Sequence, residues 1–171
     1  MPQESRLSSI GQSAPRRYAL DVRYFLDTEY NGFGGSLLSL ALVPEDGDEL
    51  YLTLKSDEPI VEWVDRHVVP YLDTVPEALS CPRLSRRDAA HALERYLRHD
   101  PEPLIYADWP EDVAHFCNLM ITGEGHMIEI RHVTFRLVPM SNFSTAANSK
   151  VPHNALHDAR ALRDFVLGWE D

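Results

Sequence analysis

The sequence predicts an α/β fold with a mixed central sheet, in which an antiparallel three-strand meander comes first and helices then alternate with single strands. Three observations lead there. Three apolar or alternating runs fall within the first 55 residues, joined by short links with Gly and Asp-Gly turn chemistry. Segments of helical periodicity follow from residue 59 onward. Two further short apolar runs each stand between helical segments.

Taken in order, "VRYFLDTE" reads as the first strand. "SLLSLALV", 36 to 43, is a second apolar run, too short for an independent helix and bounded by "NGFGG" and "PEDGD". "ELYLTLK", 49 to 55, alternates Leu50, Leu52 and Leu54 with Tyr51, Thr53 and Lys55, the pattern of a half-buried strand. "PIVEWVDRHVVPYL" carries Ile60, Val61, Trp63, Val64 and Val68 at helical spacing and stops at Pro70. "LSRRDAAHALERYLRHD" opens on Ser85 as N-cap and aligns Ala89, Ala90, Leu93, Tyr96 and Leu97 on one side. "PLIYAD", 103 to 108, is a short buried strand, and "DVAHFCNLM", 112 to 120, a helix. A strand over 133 to 138, a polar loop and a last helix in "HNALHDARALRDFVLGWE" complete the chain, with Leu156, Ala159, Leu162, Phe165 and Val166 facing inward.

The length of 171 residues suits one domain, expected over 19–171, with no internal repeat. Residues 1–18, rich in Ser, Gln, Pro and Arg, read as a disordered extension without the apolar core of a secretory signal. No run of apolar residues is long enough for a transmembrane helix. A net charge of −11 argues against a large basic nucleic-acid surface and against attraction to an anionic membrane. It does not exclude a nucleic-acid enzyme, because carboxylates that hold metal ions are neutralised in use. Cys81 and Cys117 form no motif, which fits a reducing, cytoplasmic setting.

Three groups of residues stand out. Asp27 and Glu29 close the first strand, and residues i and i+2 of a strand share a face, roughly 7 Å apart at the backbone. Both side chains can then reach one ion, although an isolated Asp-x-Glu is more often a polar strand end. In "HNALHDAR", His153 stands at a helix start and Asp158 in its first turns, where the helix dipole favours an acid. His157 points away from Asp158 and reads as surface. In "YADWPEDVAHF", Asp108 ends a strand and Asp112 begins a helix, a junction that often binds ligands in α/β folds. Glu111 between them reads as solvated.

Asp-x-Glu at the end of a first strand, Asp at a strand-to-helix junction and His-x4-Asp on a C-terminal helix together resemble the DEDDh exonucleases. These are ribonuclease H-like 3′-to-5′ exonucleases that include ribonuclease T. The resemblance spans residues 22 to 168. Within the group the chain looks most similar to the small mycobacterial-type exoribonucleases, on "SLLSLALV", "VVPYL" and "HNALHDARAL". It implies a ribonuclease H-like fold and catalytic roles for Asp27, Glu29, Asp112, His153 and Asp158. Asp112 is chosen over the alternative Asp108, with Phe116 as the apolar residue four positions on. The aromatic that usually precedes that Asp is Glu111 here.

The activity so implied is hydrolysis of single-stranded RNA from its 3′ end. Two Mg²⁺ or Mn²⁺ ions would be held by Asp27, Glu29, Asp112 and Asp158, with Asp27 bridging and His153 as general base. Phe33, among the glycines of "EYNGFGG", is a candidate for stacking a terminal base. Arg83, Arg86, Arg87, Arg95 and Arg98 form the most basic segment, and Asn142, Ser144 and Lys150 lie on the loop before His153. A homodimer is plausible by the same resemblance. DNA as substrate, or a catalytically idle nucleic-acid-binding module of the same fold, are the alternatives.

Overall fold

The computed structural model describes residues 22–138 and 143–169; the extension expected at 1–18 and Asn142 lie outside them. Strands β1 (Arg23–Tyr30), β2 (Leu37–Pro44) and β3 (Leu50–Thr53) form the expected antiparallel meander. Helix α1 (Glu62–His67), α2 (Arg86–Leu97), β4 (Leu104–Ala107) and α3 (Pro110–Met120) follow. A small hairpin, β5 (Ile121–Gly123) and β6 (His126–Met127), precedes β7 (Thr134–Leu137), α4 (Thr145–Asn148) and α5 (Ala155–Leu167). The main sheet has the order β3-β2-β1-β4-β7, with β4 parallel to β1 and β7 parallel to β4. The protein is therefore a mixed α/β fold with a five-strand sheet flanked by helices on both faces.

β1 sits at the centre and is buried on both sides, so its side chains divide by parity. Tyr24 and Leu26 join Leu40, Leu42 and Leu52 in a core covered by Ala89, Leu93 and Phe116 of α2 and α3. Phe25 joins Ala41, Val43, Tyr51 and Tyr106 in a second core covered by Leu156, Ala159 and Leu162 of α5. No helix among the described residues is long and apolar enough to cross a membrane.

Three expectations need correction. β3 is buried on both faces, not half-buried: Tyr51 and Thr53 are as enclosed as Leu52, and the Tyr51 hydroxyl donates to the Leu72 carbonyl (2.7 Å). Alternation in the sequence reported one covered face, and the segment after α1 covers the other. α1 is only six residues long, because the chain tightens into a 3₁₀ turn, Val69–Tyr71, at Pro70. Of its apolar residues Val64 and Val68 are buried, whereas Val61 and Trp63 are exposed. The β5–β6 hairpin was not anticipated, since its short segments carry no alternating pattern.

The caps agree with the sequence at α2, where Ser85 Oγ accepts the Asp88 N–H (3.1 Å) and donates to the Asp88 carboxylate (2.6 Å). α5 has a cap that was not expected from the sequence. Asn154, fully buried, accepts from the N–H groups of Leu156 (3.1 Å) and His157 (3.3 Å) and donates its amide to the Tyr71 carbonyl (2.7 Å). It thereby fixes the start of α5 against the turn after α1. Asn154→Ala is expected to lower stability by about 2 kcal/mol, roughly half from the cap and half from the orphaned carbonyl. Asn154→Ser, which keeps a capping oxygen, should lose about half as much; urea unfolding of the three proteins checks this.

Candidate metal centre

β1 delivers two carboxylates to one face. Asp27 and Glu29 follow Phe25 in parity and so point toward α5, where Asp158 stands in the first turn. Carboxylate oxygens of Asp27, Glu29 and Asp158 lie within 4.8 Å of one another. The parallel partner strand adds a fourth. Phe25 pairs with Tyr106, and two residues further along that register set Asp108, just past β4, beside Asp27. The fifth comes from the opposite face of the sheet. Thr28 points toward α3, and its N–H (3.1 Å) and hydroxyl (2.6 Å) both donate to Asp112 Oδ1. Asp112 is thus drawn to the strand end, and Asp27, Asp108 and Asp112 form a second group within 4.8 Å. The two groups share Asp27.

Four of these five carboxylates were expected in the site from the sequence, with Asp108 as an alternative to Asp112. The geometry brings both to Asp27. Asp112 is the more enclosed, at 3% exposure, and Asp108 is partly open to solvent.

Crowding and burial act in one direction here. Asp27, 8% exposed, is pushed well above the usual carboxylate range by burial and then by the charges of Asp112, Asp158, Glu29 and Asp108. Burial, followed by Asp158 and Asp112, lifts Glu29 to about 8. Burial lifts Asp112 to about 7 against the Thr28 hydrogen bonds, and Asp158 to about 6 against the Ser149 hydroxyl and the His153 N–H. Among the described residues no basic side chain forms an ion pair with any of the five. Asp27 Oδ2 is fully enclosed and has no hydrogen-bond partner, and Asp158 Oδ1 is enclosed beside the Ser149 hydroxyl. A buried acceptor without a donor is costly, and an all-oxygen set with unused lone pairs suits a hard cation. These buried clusters could hold a metal ion.

His153 stands at the rim. Its backbone N–H donates to Asp158 Oδ2 (3.1 Å), and its φ of 64° lies in the left-handed region that a non-glycine residue rarely occupies. The exposed ring meets Trp63 edge-on at 5.3 Å, and Trp63 stacks on His67 at 4.7 Å. Partial burial, then the nearby His67, holds the His153 imidazole below its usual value. His157, expected at the surface, is half-buried and within hydrogen-bonding distance of the Thr74 carbonyl (3.0 Å).

Phe33 is 95% exposed at the tip of the turn after β1, flanked by Gly32 and Gly34 at positive φ. Glu111 corrects an expectation: it is not solvated but largely buried, and accepts the Gly34 N–H (2.8 Å). Trp63 was also missed as a site residue; its spacing of four from His67 was the available signal. Of the basic segment, Arg83 is committed to a fork with Asp73 (2.7 and 3.0 Å), and Arg86 bonds the Asn118 carbonyl.

Fold and site together define an α/β protein with a buried acidic centre at the carboxyl ends of two parallel strands. Compared with models of known families and with curated proteins, the chain matches none.

These carboxyls take up protons on folding, since their folded values exceed the unfolded ones near 4. Their contribution to stability is therefore fullest below about pH 4 and is lost as pH rises through about 6, 7 and 8. In chelator, the melting temperature is expected to drop by roughly 5 °C or more between about pH 5 and 8. Added Mn²⁺ should restore it at the higher pH and do little at the lower. Asp27→Asn should raise the chelated protein's melting temperature at about pH 8 and abolish the Mn²⁺ gain, as calorimetry would report.

Proposed function

We propose that this chain is a metal-dependent 3′-to-5′ exonuclease of the DEDDh type, with a ribonuclease H-like fold, that acts on single-stranded RNA. The observation that carries the reading is the pair of carboxylate groups sharing Asp27, whose Oδ2 is enclosed and unpartnered. Asp27, Glu29 and Asp158 would hold one divalent cation, and Asp27, Asp108 and Asp112 a second. Oxygen-only donors favour Mg²⁺ or Mn²⁺ over zinc. When bound, such a pair supplies a hydroxide nucleophile at neutral pH and compensates the charge that develops on the leaving oxygen. The antiparallel meander followed by strands parallel to β1 is the element order that the family resemblance implies, and supports the same reading.

The chain's own groups then have distinct tasks. His153 accepts the proton of the attacking water, for which its lowered pKa leaves the ring neutral at pH 7. Its backbone N–H steadies Asp158, so base and carboxylate keep a fixed relation. Thr28 holds Asp112 in place by two hydrogen bonds. Phe33 offers an open ring face to the terminal base, a contact that tolerates any sequence and is worth about 1–3 kcal/mol.

The test is end-labelled single-stranded RNA, with DNA of the same sequence beside it, incubated with Mg²⁺, Mn²⁺ or chelator. A ladder shortening from the 3′ end of RNA and abolished by chelator is expected; a ladder from DNA alone would move the substrate assignment. Asp27→Ala and Asp158→Ala should each remove activity while the protein stays folded, and activity retained in both would sink the proposal. His153→Asn, which tolerates the positive φ, should lower kcat by about 100-fold or more and leave the Mn²⁺ midpoint of the thermal shift unchanged.

A further inference from the structure

The turn that carries Phe33 is rigid within itself. Asn31 N–H donates to the Ser36 carbonyl (2.8 Å) and Gly35 N–H to that of Gly32 (2.9 Å). A Cβ at Gly35 would come within 2.1 Å of the Asn31 carbonyl oxygen, so only glycine closes the loop there. Where the turn sits relative to the carboxylates is a separate matter, decided by its outside attachments. On one side the Asn31 side chain donates to the Pro59 carbonyl (2.9 Å) and accepts the Val61 N–H (2.8 Å), which ties the turn to the approach to α1.

On the other side the attachment is Glu111. Its Oε1 takes the Gly34 N–H at 2.8 Å. At its far end Ser36 Oγ stands 3.3 Å from Ser56 Oγ, and between these two attachments a cleft of ≈ 410 Å³ lies between Gly34, Gly35 and Ser36 and the α3 residues Glu111, His115 and Asn118. Without the Glu111 bond the turn has space to swing into. Glu111 is itself held. The His115 ring stacks on Tyr30 at 4.6 Å, and His115 Nε2 stands 4.0 Å from Oε1. The chain neighbour of Glu111 is Asp112, which Thr28 locks to β1.

From this arrangement we propose that Glu111 is a positioning residue, which sets the distance between the Phe33 turn and the Asp27–Asp112 cluster and so fixes where the terminal nucleotide sits over the carboxylates. The proposal rests on the nuclease reading. It differs from a purely structural role because the bond it needs runs to an exposed turn that contributes little to the core.

The test combines kinetics with a stacking probe. The RNA carries a 3′-terminal 2-aminopurine, whose fluorescence is quenched on stacking, with a phosphorothioate at the last linkage for the binding arm. Glu111→Ala and Glu111→Met, the second keeping the side-chain volume without an acceptor, should raise KM about tenfold, the order expected when one base stack is lost. Each should weaken the quenching on binding, while kcat and the Mn²⁺ midpoint stay within about twofold. Glu111→Gln, which retains an oxygen for Gly34, should restore most of the affinity. Phe33→Ala should match Glu111→Ala, and the double variant should be no worse than either, since both remove one interaction. Additive losses, a wild-type KM in both the Ala and Met variants, or a defect confined to kcat would overturn the role of Glu111 while leaving the nuclease intact. A wild type that neither binds nor shortens the RNA overturns the nuclease reading and this inference with it.

Discussion

Like charges confined out of water repel strongly, and the carboxylates around Asp27 are packed to that limit. Two oxygens 4.8 Å apart repel by about 3–4 kcal/mol at an effective dielectric of 20, and Asp27 faces four such neighbours. The local remedies are small. α3 and α5 both direct their N-termini at the cluster, each worth about 0.3–1 kcal/mol. Thr28 and the His153 N–H satisfy one oxygen of Asp112 and one of Asp158. Protonation or a bound cation has to supply the rest, which is why the centre couples to both pH and divalent metal. Holding such a centre in one geometry requires a strand that cannot give way, and β1 meets that need: Phe25 and Leu26, immediately before Asp27, have no exposed surface.

The same strand resolves a geometric problem. Five carboxylates cannot all approach one point from a single face of a sheet. Parity splits the work: odd positions Asp27 and Glu29 face α5, whereas Thr28 faces α3 and draws Asp112 across the strand end by its hydroxyl and N–H. Asp108 needs no helix, because the parallel register between β1 and β4 already lays it beside Asp27. The centre therefore depends on sheet topology as much as on side-chain identity. An antiparallel β4 would have carried Asp108 to the far end of the sheet.

This division explains what the sequence disclosed. Meander, helices and inner strands were legible because periodicity is a property of each segment alone. Asp27 and Glu29 were legible from strand parity, and His153 and Asp158 from the helix start. Asp108 and Asp112 looked like alternatives because a linear motif has one slot, whereas the register of β4 and the reach of Thr28 fill two places from one loop. The second buried face of β3, the exposed Trp63 and the enclosed Glu111 were not legible, since each is decided by what another element covers. Glu111 is the plainest case. A charged residue in a loop reads as solvated until the Gly34 N–H is seen to donate to it.

His153 shows how the pieces depend on one another. Its left-handed backbone is strained for a residue with a Cβ, at a cost of about 1–3 kcal/mol. Two bonds outweigh that strain: its own N–H to Asp158, and the Asn154 cap that begins α5 one residue later. The strained backbone turns the N–H inward to the carboxylate and leaves the ring outside, edge-on to Trp63. A relaxed backbone at this position would change the direction of the N–H or of the ring. The conformation thus lets one residue serve Asp158 with its main chain and keep its imidazole free, and the short α1 that exposes Trp63 supplies the surface against which that imidazole is oriented.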